Sequence, residues 1–246
     1  MAMAVEPSPG TLAGRFAVVT GATRGIGWAI TRALVSAGAH VAMVARTQAD
    51  LDARVAELGA AHVTAWLGDL ASREHSEELA FGLAGGVQPP DLLVNNAGIF
   101  RLARVEETFV HDFAESMQAN LMSPFNLMHA VLPAMRARGS GHIITVGSVA
   151  DRIAFPENGA YAAAKTGLRA LHEVVRAETQ GSGVRASLVS PGPVDTALWD
   201  PINPDSRPGF PKRSAMLRPE AVAEAVLFVA TRDPSVNIDE LRLSHA

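Results

Sequence analysis

Phe16-Ala-Val-Val-Thr-Gly-Ala-Thr-Arg-Gly-Ile-Gly27 decides the fold. Phe16 to Thr20 is a short apolar run that reads as a strand. A glycine-rich turn follows, with glycines at 21, 25 and 27, and then Trp28 to Ala37, helical in composition and stopped at Gly38. A strand, a glycine turn and a helix in that order form a phosphate cradle. Gly21 permits the tight turn, Gly25 lets backbone approach a pyrophosphate, and Gly27 lets helix pack closely on strand, while the helix N-terminus offers free N–H groups. No Gly-Lys-Ser/Thr is present, which sets aside a nucleotide triphosphatase loop.

Downstream the pattern alternates. His40–Ala45, His62–Leu67, Asp91–Asn95, His142–Val146, Val184–Ser190 and Ile238–Leu243 read as further strands. Ala49–Leu58, Ser72–Leu83, Glu107–Met135, Gly159–Gln180 and Pro219–Ala230 read as helices. Alternation of this kind predicts an α/β fold: a doubly wound, seven-stranded parallel sheet with helices on both faces, which explains strands that are apolar throughout. No internal repeat or mid-chain linker interrupts it. One domain is expected over 14–246, with a flexible N-terminal tail over 1–13. The irregular stretch 191–218 holds six prolines, at 191, 193, 201, 204, 208 and 211, and is expected to be a substrate-binding loop or lid.

Composition narrows the function. The chain has 246 residues, 48% hydrophobic and 19% charged, long and apolar enough to build a core unaided. It has no cysteine, which excludes disulfides, thiolate metal sites and cysteine nucleophiles. Its eight histidines show no paired ligand spacing, so no metal site is expected. A net charge of −4 argues against a nucleic-acid partner. Ser116–Met135 is uncharged over a bilayer-spanning length, but it carries Gln118, Asn120, Asn126 and two prolines, so it reads as a buried helix. The N-terminus lacks a secretory pattern; no membrane association and a cytoplasmic location are expected.

In a parallel sheet, ligands bind at the C-terminal strand ends. Four segments converge there: the glycine loop, Asn95-Asn-Ala-Gly98, Ser148 and Pro191-Gly192. The second strand ends in Ala45-Arg46, where a binder of unphosphorylated dinucleotide would carry an acid. With Arg24 in the loop, the two cations suit a 2′-phosphate, so NADP(H) is expected to be preferred, with NAD(H) the second option. Tyr161 and Lys165 stand four apart on one helix face. Tyr161 is the only tyrosine in the chain. An ammonium close to a phenol favours the phenolate and lowers its pKa.

These motifs together resemble the classical short-chain dehydrogenase/reductase family, whose fold is of the Rossmann type. Thr20, Gly21, Gly25 and Gly27 match its glycine loop, Asp69 its acid after the third strand, Asn95–Gly98 its NNAG, and Pro191-Gly192 its PG turn. Asn120, Ser148, Tyr161 and Lys165 match its catalytic tetrad. The resemblance spans roughly 14–243, and the chain departs from it near the last strand, where Asn237–Leu243 lacks the usual glycine pair. It implies that Tyr161 exchanges a proton with the substrate oxygen, that Ser148 hydrogen-bonds that oxygen, and that Lys165 binds the nicotinamide ribose and depresses the tyrosine pKa. Asp69 with Leu70 is implied at the adenine and Asn96 at the ribose. The remaining cofactor contacts expected are Thr23, Ile26, Ala97, Gly98, Val194 and Thr196. A homotetramer or homodimer is implied as well.

The activity expected is NADPH-dependent exchange between a small-molecule carbonyl and its alcohol. A 3-oxoacyl-thioester reductase is the alternative and calls for cations at the pocket mouth, such as Arg152, Arg207, Lys212 or Arg213. A catalytically silent dinucleotide-binding regulator is the reading from another class, and the intact tetrad argues against it. Phe155, Leu198, Trp199, Ile202 and Phe210 are candidates for the substrate pocket, while Asp151 and Glu157 read as solvated loop acids. Trp28 reads as packing. Finally, Pro124 has no N–H to offer the carbonyl of Asn120. That freed carbonyl is expected to hold a water reaching Lys165.

Overall fold

A computed structural model of the chain describes residues 12–85 and 89–246. Most of the tail expected over 1–13 lies outside the described residues. Leu12, read as part of it, is buried, and its N–H donates to Ala37 O at 2.8 Å.

The strands are β1 (Phe16–Thr20), β2 (His40–Ala45), β3 (Val63–Leu67), β4 (Leu92–Asn95), β5 (Gly141–Val146), β6 (Val184–Pro191) and β7 (Glu240–Leu243). The helices are α1 (Gly25–Ser36), α2 (Gln48–Leu58), α3 (Arg73–Gly85), α4 (Val110–Met117), α5 (Ser123–Arg138), α6 (Gly159–Thr179) and α7 (Pro219–Ala230). All strand pairs are parallel, in the order β3-β2-β1-β4-β5-β6-β7. The doubly wound seven-stranded sheet expected from the sequence is therefore present.

Two cores follow from the period-two alternation of strands covered on both faces. Ala17, Val19, Val41, Met43 and Val94 face one side, where Ile30 and Leu34 of α1, Leu51 of α2 and Val226 of α7 cover them. Val18, Val44, Leu93 and Ile143 face the other, under Leu83 of α3, Leu127 and Met135 of α5, and Leu168 of α6. Helix starts obey local chemistry. Ser72 precedes α3 and its Oγ accepts from His75 N–H, while Pro219 opens α7 at a position where its missing N–H costs nothing.

The long helix expected over Glu107–Met135 is instead divided. A 3-10 turn covers Val105–Glu107, α4 follows, and a π turn at Gln118–Met122 joins α4 to α5. Pro124 supplies the reason: it cannot donate to Asn120 O, and Ser123 N–H donates five residues back to Gln118 O. The uncharged stretch Ser116–Met135 is indeed core-facing, burying Leu127, Met128, Val131 and Met135. Among the described residues no helix is long and apolar enough to cross a membrane.

β1 and β4 are adjacent, and the chain proceeds outward from them in opposite directions: β1 to β3 one way, β4 to β7 the other. That reversal opens a crevice at their C-terminal ends, the place where such sheets take ligands.

Candidate active site and dinucleotide cleft

A cleft of about 500 Å³ lies at this crevice. Of the residues expected to contact a cofactor, Gly21, Thr23 to Gly27, Arg46, Asp69, Leu70, Asn96 to Gly98 and Thr196 line it. Gly21 sits at φ 65°, a conformation that favours glycine. A Cβ on Gly27 would lie 2.1 Å from Gly21 O, so the strand-to-helix turn closes only with glycine there. Thr20 ties the two loops together: its Oγ1 accepts from the N–H groups of Asn96 and Ala97, both at 2.9 Å, and Asn96 Nδ2 donates to Thr20 O at 2.8 Å. Asp69 Oδ1 caps its own turn by accepting from Ala71 N–H at 3.0 Å.

Pro191, Gly192 and Val194 do not line the cleft. Pro191 pairs with Leu243 in the sheet, Gly192 N–H donates to Leu243 O at 2.8 Å, and Val194 is buried against Leu217. They brace the loop that presents Thr196. One contributor was missed by sequence reasoning. Arg54 of α2 lays its guanidinium 4.4 Å from the centre of the Trp28 ring and donates from Nε to Thr23 O at 3.0 Å, so it fixes the glycine loop from outside. Its only sequence signal is a cation one turn after Asp50 on a surface helix.

Ser148, Tyr161 and Lys165 lie beyond the cleft's end, behind Phe100, whose ring meets Tyr161 edge-on at 4.9 Å. Ser148 lies two residues past β5, in extended conformation ahead of a 3-10 turn, and its Oγ accepts from Ala150 N–H at 3.1 Å, which leaves the hydroxyl proton to donate. Tyr161 and Lys165 share a face of α6, with Nζ 5.8 Å from the phenol ring centre. Lys165 is buried and donates to Val146 O at 3.0 Å.

The electrostatics reverse one expectation. Desolvation pushes the Tyr161 phenol up to about 12, with the Asp151 carboxylate pushing the same way and the Ser148 hydroxyl opposing. Desolvation also lowers Lys165 to about 8, with Asp151 opposing that fall. Within the protein alone, burial sets the direction of the phenol's shift and Lys165 does not bring it down. Asp151 is likewise not the solvated acid the sequence suggested. Its side chain is 1% exposed, neither carboxylate oxygen has a hydrogen-bond partner, and burial raises its pKa, while Arg152 Nε stands 3.6 Å away. Glu157 is half-buried, holds φ 69° and pairs with Arg207.

Asn120 is fully buried in the π turn. Its Oδ1 accepts from Ile99 N–H at 3.1 Å, and its Nδ2 donates to Ile99 O at 3.0 Å and Ser116 Oγ at 3.1 Å. The side chain is thus spent on structure, and the backbone carbonyl is the group left for other work.

Among the described residues no cluster of His, Cys, Asp or Glu is arranged to hold a metal. The glycine cradle, the paired loops and two cations at its rim fit a phosphorylated dinucleotide instead.

Comparison with known proteins agrees with this geometry. The short chain dehydrogenase family profile matches residues 15–207. Glycine betaine reductase ATRR of Emericella nidulans is 32% identical over 96% of this chain, which spans only 19% of that protein. D-threitol dehydrogenase of Mycolicibacterium smegmatis is 34% identical, over 89% of this chain and 87% of its own length. An alcohol dehydrogenase from the archaeon Thermococcus sibiricus, solved with 5-hydroxy-NADP, superposes with a TM-score of 0.82 at 31% identity, covering 94% of this chain and 97% of that one. With its fold, its glycine cradle and its profile match in agreement, the chain belongs to the short-chain dehydrogenase family.

Proposed function

We propose that this protein is an NADP(H)-preferring oxidoreductase that interconverts a carbonyl and its alcohol. The observation that carries the reading is the assembly of Ser148, Tyr161 and Lys165 at the end of a glycine-cradled dinucleotide cleft.

NADPH supplies the two reducing electrons as a hydride. The protein's residues do the rest. Gly21 to Gly27 hold the pyrophosphate against the N-terminus of α1, and Asp69 with Leu70 flanks the adenine end. Arg24 and Arg46 are exposed at the rim and make no ion pair among the described residues. They are available for a 2′-phosphate through charge-assisted hydrogen bonds. Ser148 donates to the substrate oxygen, and Tyr161 transfers its proton there. Burial keeps the phenol protonated in the protein alone, so the proton that carbonyl reduction needs is in place before the substrate binds. Lys165 positions the ribose and holds positive charge beside the phenol.

The 3-oxoacyl-thioester reading requires unspent cations at the mouth. Arg152 is 3.0 Å from Glu240, Arg207 pairs with Glu157, Arg213 is 2.8 Å from Asp195, and Lys212 donates to Asp205 O. With the three arginines paired and only Lys212 keeping its charge, a simple carbonyl or alcohol fits this mouth better. The proposal is tested by following NADPH oxidation spectrophotometrically with a panel of ketones and aldehydes. Turnover with at least one supports it; cofactor binding without any turnover of the panel or of the matching alcohols with NADP⁺ favours the silent regulator.

A further inference from the structure

The cations around the cleft are partnered unequally. At the adenosine end, Arg24 and Arg46 make no ion pair or side-chain hydrogen bond among the described residues. At the opposite end every arginine that approaches is already neutralised. Arg101, next to Phe100, binds both Asp112 and Glu115; Arg207 binds Glu157; Arg213 binds Asp195 and Asp200. One end thus retains unpaired arginines for an anion, whereas the other has its arginines paired and keeps only Lys212, exposed and donating to the backbone carbonyl of Asp205. An anionic substrate entering there would lose hydration without finding an unpaired arginine to bind it bidentately.

The same end is built of aromatic rings drawn from four separate segments. Phe100 follows β4, Phe155 lies between β5 and α6, Tyr161 is on α6, and Trp199 and Phe210 come from the 191–218 loop. They form a continuous edge-to-face chain. Phe100 stands 4.9 Å from Tyr161 and 5.2 Å from Trp199, and Phe210 stands 6.3 Å from both Trp199 and Phe155. Trp199 is buried and spends its one polar atom on Val194 O at 3.0 Å, so what it offers Phe100 and Phe210 is its ring. Arg207 stacks 4.8 Å over Phe210 while paired with Glu157, which draws the loop onto the β5–α6 segment. Glu157 does this from a left-handed backbone position at φ 69°, an arrangement that costs energy for a non-glycine residue and persists where surrounding contacts enforce it.

Resting on the oxidoreductase reading above, we infer that the substrate is an uncharged aryl ketone or the matching aryl carbinol, with its ring seated edge-to-face among Phe100, Trp199 and Phe210 and its oxygen directed to Ser148 and Tyr161. Ring–ring pairs of this geometry contribute beyond simple area burial, and two such contacts amount to roughly tenfold or more in kcat/KM.

The test uses the purified enzyme with NADPH and three probes: acetophenone, cyclohexyl methyl ketone (the same skeleton with a saturated ring) and acetoacetyl-CoA. Acetophenone is expected to exceed the saturated ketone about tenfold in kcat/KM, with the anionic thioester slower still. Trp199→Leu and Phe210→Leu, read separately, are expected to reduce the aryl preference severalfold; the calorimetric Kd for NADPH is expected to be unchanged in Phe210→Leu, which leaves the bond from Trp199 to Val194 in place. Equal rates for the aryl and saturated ketones, a preference for the thioester, or an aryl preference that survives both leucine variants overturns this inference alone. Bound NADPH without turnover of any ketone or alcohol overturns the oxidoreductase reading, and this inference with it.

Discussion

The side-chain amide of Asn120 brackets the backbone of Ile99, accepting from its N–H at 3.1 Å and donating to its C=O at 3.0 Å. This clasp fastens the π turn between α4 and α5 to the loop that leaves β4, and so positions Phe100 against Tyr161. Asn120→Ala leaves both Ile99 groups unpaired, at about 1–3 kcal/mol each. Lowered Tm together with lowered kcat is expected. Pro124→Ala separates the two roles of Asn120, because it restores an N–H able to take up the Asn120 carbonyl while leaving the clasp intact. If that carbonyl serves a water reaching Lys165, Pro124→Ala lowers kcat without weakening NADPH. An unchanged kcat in a well-folded Pro124→Ala protein removes the relay.

Cofactor choice is expected to rest on Arg46 and Arg24. Arg46→Ala removes a charge-assisted contact of about 1.5–3 kcal/mol, so NADPH should weaken roughly 10- to 100-fold with little effect on NADH. Ala45→Asp places an anion where the 2′-phosphate would lie and should move the preference towards NADH. Kinetics with both cofactors on parent and variants check this; equal kcat/KM for the two cofactors in the parent contradicts it.

Asp151 disfavours proton loss from both Tyr161 and Lys165. Because the two interact, their first deprotonation belongs to the pair. Asp151→Asn keeps the shape and removes the charge, so the pair should lose that proton at lower pH. Alcohol oxidation, which needs the phenolate, should then begin its rise with pH earlier. A pH profile of kcat/KM in the oxidative direction reads the shift; an unmoved profile in a folded variant shows Asp151 to be structural only.

Buried histidines set acid stability. His142 Nε2 lies 2.9 Å from Ser187 Oγ and His172 Nδ1 lies 2.9 Å from Thr145 Oγ1. Desolvation lowers them to about 3 and about 4. Below the ordinary histidine pKa of about 6.5 the unfolded chain binds protons that the folded chain refuses. Stability should therefore be full above that pH and fall as pH drops towards 4, at up to about 1.4 kcal/mol per pH unit for each histidine. Tm measured between pH 7 and 4 checks the slope, and His172→Gln should flatten it.

The sheet was legible because strands covered on both faces must be apolar throughout, and because glycine positions such as Gly27 are dictated by contacts of 2.1 Å that no side chain survives. Asn120, Ser148, Tyr161 and Lys165 were picked out by motif. Arg54 and Phe100 were not, since their roles arise from long-range packing: Arg54 acts on Thr23 across the α1–α2 surface, and Phe100 acts by meeting Trp199 from a loop a hundred residues away. Local pattern also misjudged Asp151, because a short turn after a strand usually faces water, whereas this one folds beneath α6, where Thr166 Oγ1 donates to Asp151 O at 3.2 Å.

The central claim is that Tyr161 exchanges a proton with the substrate oxygen in an NADPH-dependent carbonyl–alcohol reaction. Single-turnover oxidation of bound NADPH by a reducible ketone, compared between the parent protein and Tyr161→Phe, tests it most directly. The expected result is a loss of about 10²–10⁴-fold in the chemical step with the NADPH Kd unchanged. A Tyr161→Phe protein that oxidises NADPH at the parent rate would contradict the account.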